Sequence, residues 1–270
     1  MSIPNQLNMT EGLSESFFDA FDYDRRDPRL DDFPFMSAMW PTVYMWLAYP
    51  ILHVLPRTEE QCRRLWNVVT ILKFFMASVI FALLFVNYFL RYEMILSDGN
   101  PRSPSYQVMV AWYLHYMTNL TYHQLDIFVY ALMSSSRANH RSAIARGLFK
   151  SFNPLYMWMH SRYFPYGPDS YVVMASCLGH MFKEGANIME MCRRKNCFLG
   201  RQIAATFQVF VYVCAEFYFV YMLFSVLFPC DGYMSPYPWQ LIVIDVIFLF
   251  LLVVLFVRMY LDEFVLDKMN

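Results

Sequence analysis

Apolar stretches long enough to cross a lipid bilayer alternate along this chain with short polar or charged stretches. About 20 apolar residues, each rising 1.5 Å, cover the ~30 Å hydrocarbon core of a membrane. Four windows meet that length outright: 36–55 without a formal charge, 67–90 with only Lys73, 203–228 with only Glu216, and 239–257 with only Asp245. Lys73 stands near one end of its window and is expected to snorkel toward the interface. Three more windows, 107–133, 142–163 and 170–191, are amphipathic and carry charge within an otherwise apolar helical pattern. The pattern predicts an all-α integral membrane protein, a seven-transmembrane-helix bundle over 36–260 with short loops and no internal repeat. Residues 1–35 and 261–270 are left as tails.

The three amphipathic windows hold the polar groups that hydrocarbon does not tolerate. In the third span, His115, Asn119, Tyr122, His123 and Asp126 recur at helical spacing on one broad face. Arg146, Lys150 and Asn153 do the same in the fourth, and Ser176, His180, Lys183, Glu184 and Asn187 form a stripe in the fifth. Ionisable groups inside spans face the bundle interior and mark functional sites by default, so three such faces predict a shared polar cavity. Pairing of Asp126 or Glu184 with Arg146, Lys150 or Lys183 would also satisfy these charges without a ligand, and the two roles are compatible. His115 and His123 stand two turns apart and His180 alone, a spacing that does not build a metal site, so no metal is expected. Glu216 and Asp245 are single acids and are expected to hydrogen-bond between helices.

Composition agrees with a membrane protein: 58% of residues are apolar and 16% charged, against roughly 25% charged in soluble domains. The abundant Phe, Tyr and Met read first as lipid-facing and interhelical packing. Charge then orients the chain. One set of loops and the C-terminal tail carries Arg57, Arg63, Arg64, Arg137, Arg141, Arg193, Arg194, Lys195, Arg201, Arg258 and Lys268. The other short loops carry only Arg91, Arg102 and Arg162. That asymmetry places the C-terminus in the cytosol and the acidic N-terminal tail outside or in the lumen. Residues 1–35 predict a soluble tail rather than a cleavable signal, and Asn8-Met9-Thr10 is an N-glycosylation sequon on that side. No basic stripe suggests nucleic acid as a partner. The six cysteines are scattered, several within spans, which argues against a disulfide framework.

Read in order, several short segments resemble the fatty acid elongase (ELO) family. Asp27-Pro28-Arg29, Met36-Ser37 and Pro41-Thr42 are similar to that family's approach to its first span. Trp112-Tyr113-Leu114-His115-Tyr116 resembles the aromatic opening of its third helix, and Leu125-Asp126-Ile127-Phe128 the core of its K-x-x-E-x-x-D-T motif. Arg162-Tyr163-Phe164-Pro165-Tyr166-Gly167 falls where the family has a Pro-Gly-Gly-like turn, and Ser176-Cys177-Leu178-Gly179-His180 where it has Asn-Ser-x-x-His. The resemblance implies seven helices in the endoplasmic reticulum membrane, acyl-CoA and malonyl-CoA as substrates without a further cofactor, and condensation to a 3-oxoacyl-CoA. It also implies other elongation-cycle enzymes, or an elongase oligomer, as partners alongside the lipid bilayer.

The departures fall on the chemistry. The family's H-x-x-H-H box lands on Ala143-Ile144-Ala145-Arg146-Gly147, with none of its histidines. Around Asp126 the motif's Lys, Glu and Thr are replaced by Leu120, His123 and Ile127, while His180 persists and Gln208 stands where a sixth-helix Gln motif would fall. Ala and Gly cannot serve as acid, base or nucleophile, and Arg cannot accept a proton at physiological pH. The resemblance therefore implies a catalytically impaired elongase, with His123, Asp126 and His180 as the remaining candidates for acid–base work. The alternative is a non-catalytic protein that binds acyl-CoA or lipid, or associates with elongases. A seven-helix receptor is disfavoured because no Asn-Pro-x-x-Tyr follows in the last span. A small transporter is disfavoured because no inverted repeat or pair of broken helices is visible.

Overall fold

The computed structural model describes residues 28–44, 58–90, 106–123, 153–163, 169–193, 198–228 and 239–261. Helix α1 (Glu59–Phe85) begins well ahead of the apolar window that predicted it, because the preceding residues supply a complete helix start. Thr58 Oγ1 accepts from the Gln61 main-chain N–H at 3.3 Å, and Gln61 Oε1 accepts from Thr58 N–H at 3.0 Å, a reciprocal capping box. Glu60 then pairs with Arg64 at 2.9 Å and Arg63 at 2.5 Å on the helix surface. The Arg64 and Arg63 guanidinia hold its carboxyl below the ordinary glutamate range.

Five further helices follow: α2 (Tyr106–Thr118), α3 (Asn153–Tyr163), α4 (Asp169–Arg193), α5 (Phe198–Leu227) and α6 (Trp239–Tyr260). α1 runs on into a π-helical turn, Val86–Leu90, and α2 into another, Asn119–His123. Of the first predicted span, 36–44 is described, with a helical turn at 40–44. Among the described residues three helices are long and apolar enough to cross a membrane, over Arg63–Phe89, Phe198–Leu227 and Trp239–Arg258. The predicted spans 107–133 and 142–163 lie only partly within the described residues, as helical segments ending at His123 and starting at Asn153.

The helices form a closed ring of neighbours that does not follow chain order. α1 packs on α2 and α4, α2 on α3, α4 on α5, and α5 on α6. α6 returns to α3 through Tyr156, whose ring stacks on Phe248 with centroids 4.0 Å apart. One buried cluster around Trp112 and Tyr116 and a second around Phe219 and Ile242 are bridged by Tyr156 and Met159, which pack against both.

Lys73 corrects the snorkelling expectation: it is only 3% exposed, within the α1 surface turned toward the other helices. The exposed side of the same helix is taken by Val68, Ile71 and Phe75. A charged group set inward among partners avoids hydrocarbon more completely than one reaching along the lipid face.

The segment before the first predicted span straps across α2 and α3. Leu30 and Met36 are fully buried, and the Phe33 ring lies 4.7 Å from that of Tyr113. Trp158 Nε1 donates to the Phe35 carbonyl at 3.1 Å, where Phe35 adopts a left-handed φ of 66° that a non-glycine residue rarely takes. Arg162 Nη2 donates to Asp31 Oδ1 at 2.9 Å, and its guanidinium lies 5.5 Å from the Trp158 ring centroid. Arg162→Met is expected to cost about 1–2 kcal/mol, between the values for exposed and buried pairs, because the Asp31 side chain is 31% exposed and can turn to water. Thermal unfolding of the purified full chain in detergent measures it, and an unchanged transition would show that the strap does not depend on this pair.

Candidate functional site

A cavity of about 60 Å³ opens where α2 through α6 converge, room for a few waters or part of a larger ligand. Its polar side is built by His115 and Asn119 of α2, Asn153 of α3, Ser176 and His180 of α4, and Tyr212 of α5. Its apolar wall comes chiefly from α6, through Phe248, Leu249, Leu252 and Phe256, with Met157, Val172 and Val173 from the neighbouring helices. Trp112 and Tyr156 complete the lining.

Hydrogen bonds between helices hold the polar side in place. Asn119 opens the π-helical turn that continues α2, and its Nδ2 donates to the His115 carbonyl at 2.8 Å. Asn119 Oδ1 accepts from Asn153 Nδ2, tying α2 to α3. Ser176 Oγ and the Tyr212 hydroxyl share a hydrogen bond of 3.0 Å between α4 and α5. His115 Nδ1 lies 3.9 Å from the buried thiol of Cys177. Trp112 Nε1 donates to Ser170 Oγ at 2.9 Å, fixing the indole in the cavity lining.

A buried polar triad joins α3 to α6 beside the cavity. Asp245 Oδ1 accepts from the Tyr156 hydroxyl at 2.8 Å and lies 2.9 Å from His160 Nε2, a close contact whose angle falls outside ideal hydrogen-bond geometry. The His160 and Asp245 side chains are both fully buried, and the His160 ring packs 4.3 Å from that of Tyr156. Asp245 is thus the interhelical hydrogen-bonder expected of it. Glu216 Oε2 is buried and has no hydrogen-bond partner among the described residues.

Of the polar residues read from sequence, His115, Asn119, Asn153, Ser176 and His180 line the cavity together. Glu184 and Asn187 do not line it; they pair with each other at 2.9 Å further along α4, and Lys183 is likewise outside the lining. Gln208 packs over Gly179, one turn before Tyr212, with its Nε2 buried and unpartnered among the described residues. A Cβ at position 179 would stand 2.7 Å from Gln208 Cγ, so Gly179→Ala is expected to cost about 1–3 kcal/mol by overpacking. A fall in the thermal transition checks this, and an unaltered transition would mean that Gln208 swings aside freely. The His123 side chain, Asp126, Arg146, Lys150 and Asn8 lie outside the described residues. Among the described residues no three His, Cys, Asp or Glu side chains gather where a metal could bind.

Three contributors were not singled out from sequence: Tyr156, His160 and Tyr212. The signal for the first two was present, since Tyr156 and His160 continue the helical stripe of Arg146, Lys150 and Asn153 at the same spacing. Tyr212 follows Gln208 by one turn. No protein-family model, curated protein or solved structure matches the chain.

Proposed function

We propose that this chain is an elongase-type protein of the endoplasmic reticulum membrane that holds an acyl chain in its cavity and is impaired in condensing it. The observation that carries the reading is the two-sided cavity, with hydrogen-bonding groups of α2, α3, α4 and α5 facing an aromatic and aliphatic wall from α6. A long-chain acyl thioester has the matching division, a polar carbonyl end and a methylene chain that gains by leaving water. The ordered resemblance between residues 27 and 180 supports the family. Seven spans, with the N-terminus luminal and the C-terminus cytosolic, follow from the apolar windows and from the excess of Lys and Arg on one set of loops.

Impairment follows from Ala143, Arg146 and Gly147 at the positions of the three box histidines. The test is acyl-CoA binding and malonyl-CoA incorporation on the same purified full chain, with acyl-CoAs of several lengths. Saturable binding without condensation is the expected result. Clear condensation that vanishes in His123→Ala or His180→Ala would overturn the impairment, and no binding at any length would overturn the acyl-chain reading itself.

A further inference from the structure

The paired amides at the cavity decide which kind of ligand atom can complete it. Asn119 Nδ2 donates to the His115 main-chain carbonyl, which can only accept. The Asn119 atom facing that carbonyl is therefore its nitrogen, and the other end of the amide is its oxygen. That oxygen accepts from Asn153 Nδ2. The atom left over on Asn153 is then Oδ1, an acceptor. It is buried, belongs to a residue lining the cavity, and has no hydrogen-bond partner among the described residues. Turning either amide over sets oxygen against oxygen or nitrogen against nitrogen, so the assignment is fixed by the His115 carbonyl.

The Ser176–Tyr212 pair adds the complementary half. Its two hydroxyls share one hydrogen bond, which uses one of their two hydrogens. Both residues line the cavity, so the other hydrogen is available to an acceptor there.

We propose that the cavity takes a hydroxylated acyl chain, its O–H donating to Asn153 Oδ1. This rests on the acyl-chain reading above and narrows it. A keto or thioester oxygen carries no proton and cannot satisfy Asn153 Oδ1. A plain methylene chain leaves that buried acceptor unpaired, the costly outcome for a desolvated polar group. A ligand hydroxyl donates to Asn153 while its oxygen can accept from the Ser176–Tyr212 pair, and the rest of the chain lies along Phe248, Leu249 and Leu252.

The experiment compares equilibrium binding of positional hydroxyacyl-CoA isomers with the unsubstituted acyl-CoA of equal length, on the purified full chain in nanodiscs. One isomer is expected to bind roughly tenfold more tightly than the unsubstituted chain, the worth of one neutral hydrogen bond. Asn153→Leu should erase that preference, and the variant's thermal unfolding transition reports whether it folds. Equal binding of every isomer and the unsubstituted chain to the wild type overturns this inference and leaves the acyl-chain reading standing. So does a preference that survives Asn153→Leu. Absence of binding by any acyl-CoA overturns the reading and this inference with it. The wild-type comparison decides the matter even if the leucine variant does not fold.

Discussion

Asp245→Leu is expected to destabilise the protein by about 3–5 kcal/mol, the cost of breaking a buried polar pair from one side. The carboxylate is fully buried and serves two partners at once, the Tyr156 hydroxyl at 2.8 Å and His160 Nε2 at 2.9 Å. Leucine keeps the branched four-atom skeleton but leaves the tyrosine hydroxyl without its acceptor and the imidazole without its carboxylate contact. Both are held in a region where water cannot readily replace what was lost. The same contact joins α3 to α6 and so closes the ring of helices around the cavity. The double variant His160→Leu with Asp245→Leu should cost clearly less than the sum of the two single changes, because removing both partners removes the stranded group. Unfolding equilibria of the full chain in mixed micelles measure all three. A single-variant cost below about 1 kcal/mol, or simple additivity, would show that the triad is a bystander to the fold.

The sequence made the long helices legible for a simple reason. In a membrane the apolar window is itself the structural requirement, so α5 and α6 could be placed to within a turn or so. What hydropathy could not convey was packing. The ring order, with α1 beside α4, depends on which faces meet, and Lys73 shows how one inward-turned residue defeats a rule based on distance to a helix end. At the site, His115, Asn119 and His180 were found because each is a polar residue at helical spacing in an otherwise apolar helix. Glu184 and Asn187 obeyed the same rule yet pair with each other away from the cavity, since spacing fixes a face but not a depth. Tyr156 and Tyr212 were passed over because tyrosine is abundant along the whole chain and its hydroxyl carries no charge to draw notice.

On the proposed reading, the purified chain should incorporate malonyl-CoA at a rate at least roughly 10⁴-fold below that of an elongase with an intact histidine box. A single positioned acid or base contributes about 10²–10⁴ to a proton-transfer step. Groups acting as a unit fail together rather than in proportion, so losing the whole box is not offset by one surviving imidazole. The cavity offers two imidazoles, His115 and His180, and they are the residues best placed to contest this expectation. His115 is backed by the Cys177 thiol at 3.9 Å, a weak partner, and among the described residues no carboxylate contacts it to stabilise an imidazolium as a general base requires. The wild type, His115→Ala and His180→Ala should therefore all sit at the background of a radiolabelled malonyl-CoA assay, while each still binds acyl-CoA. A wild-type rate well above background that falls about 10²-fold in either histidine variant would mean that the chemistry has moved from the fourth span onto α2 or α4. The chain would then be a working condensing enzyme with a relocated base. If binding persists in every variant while the rate never rises above background, the cavity holds acyl chains that it does not condense.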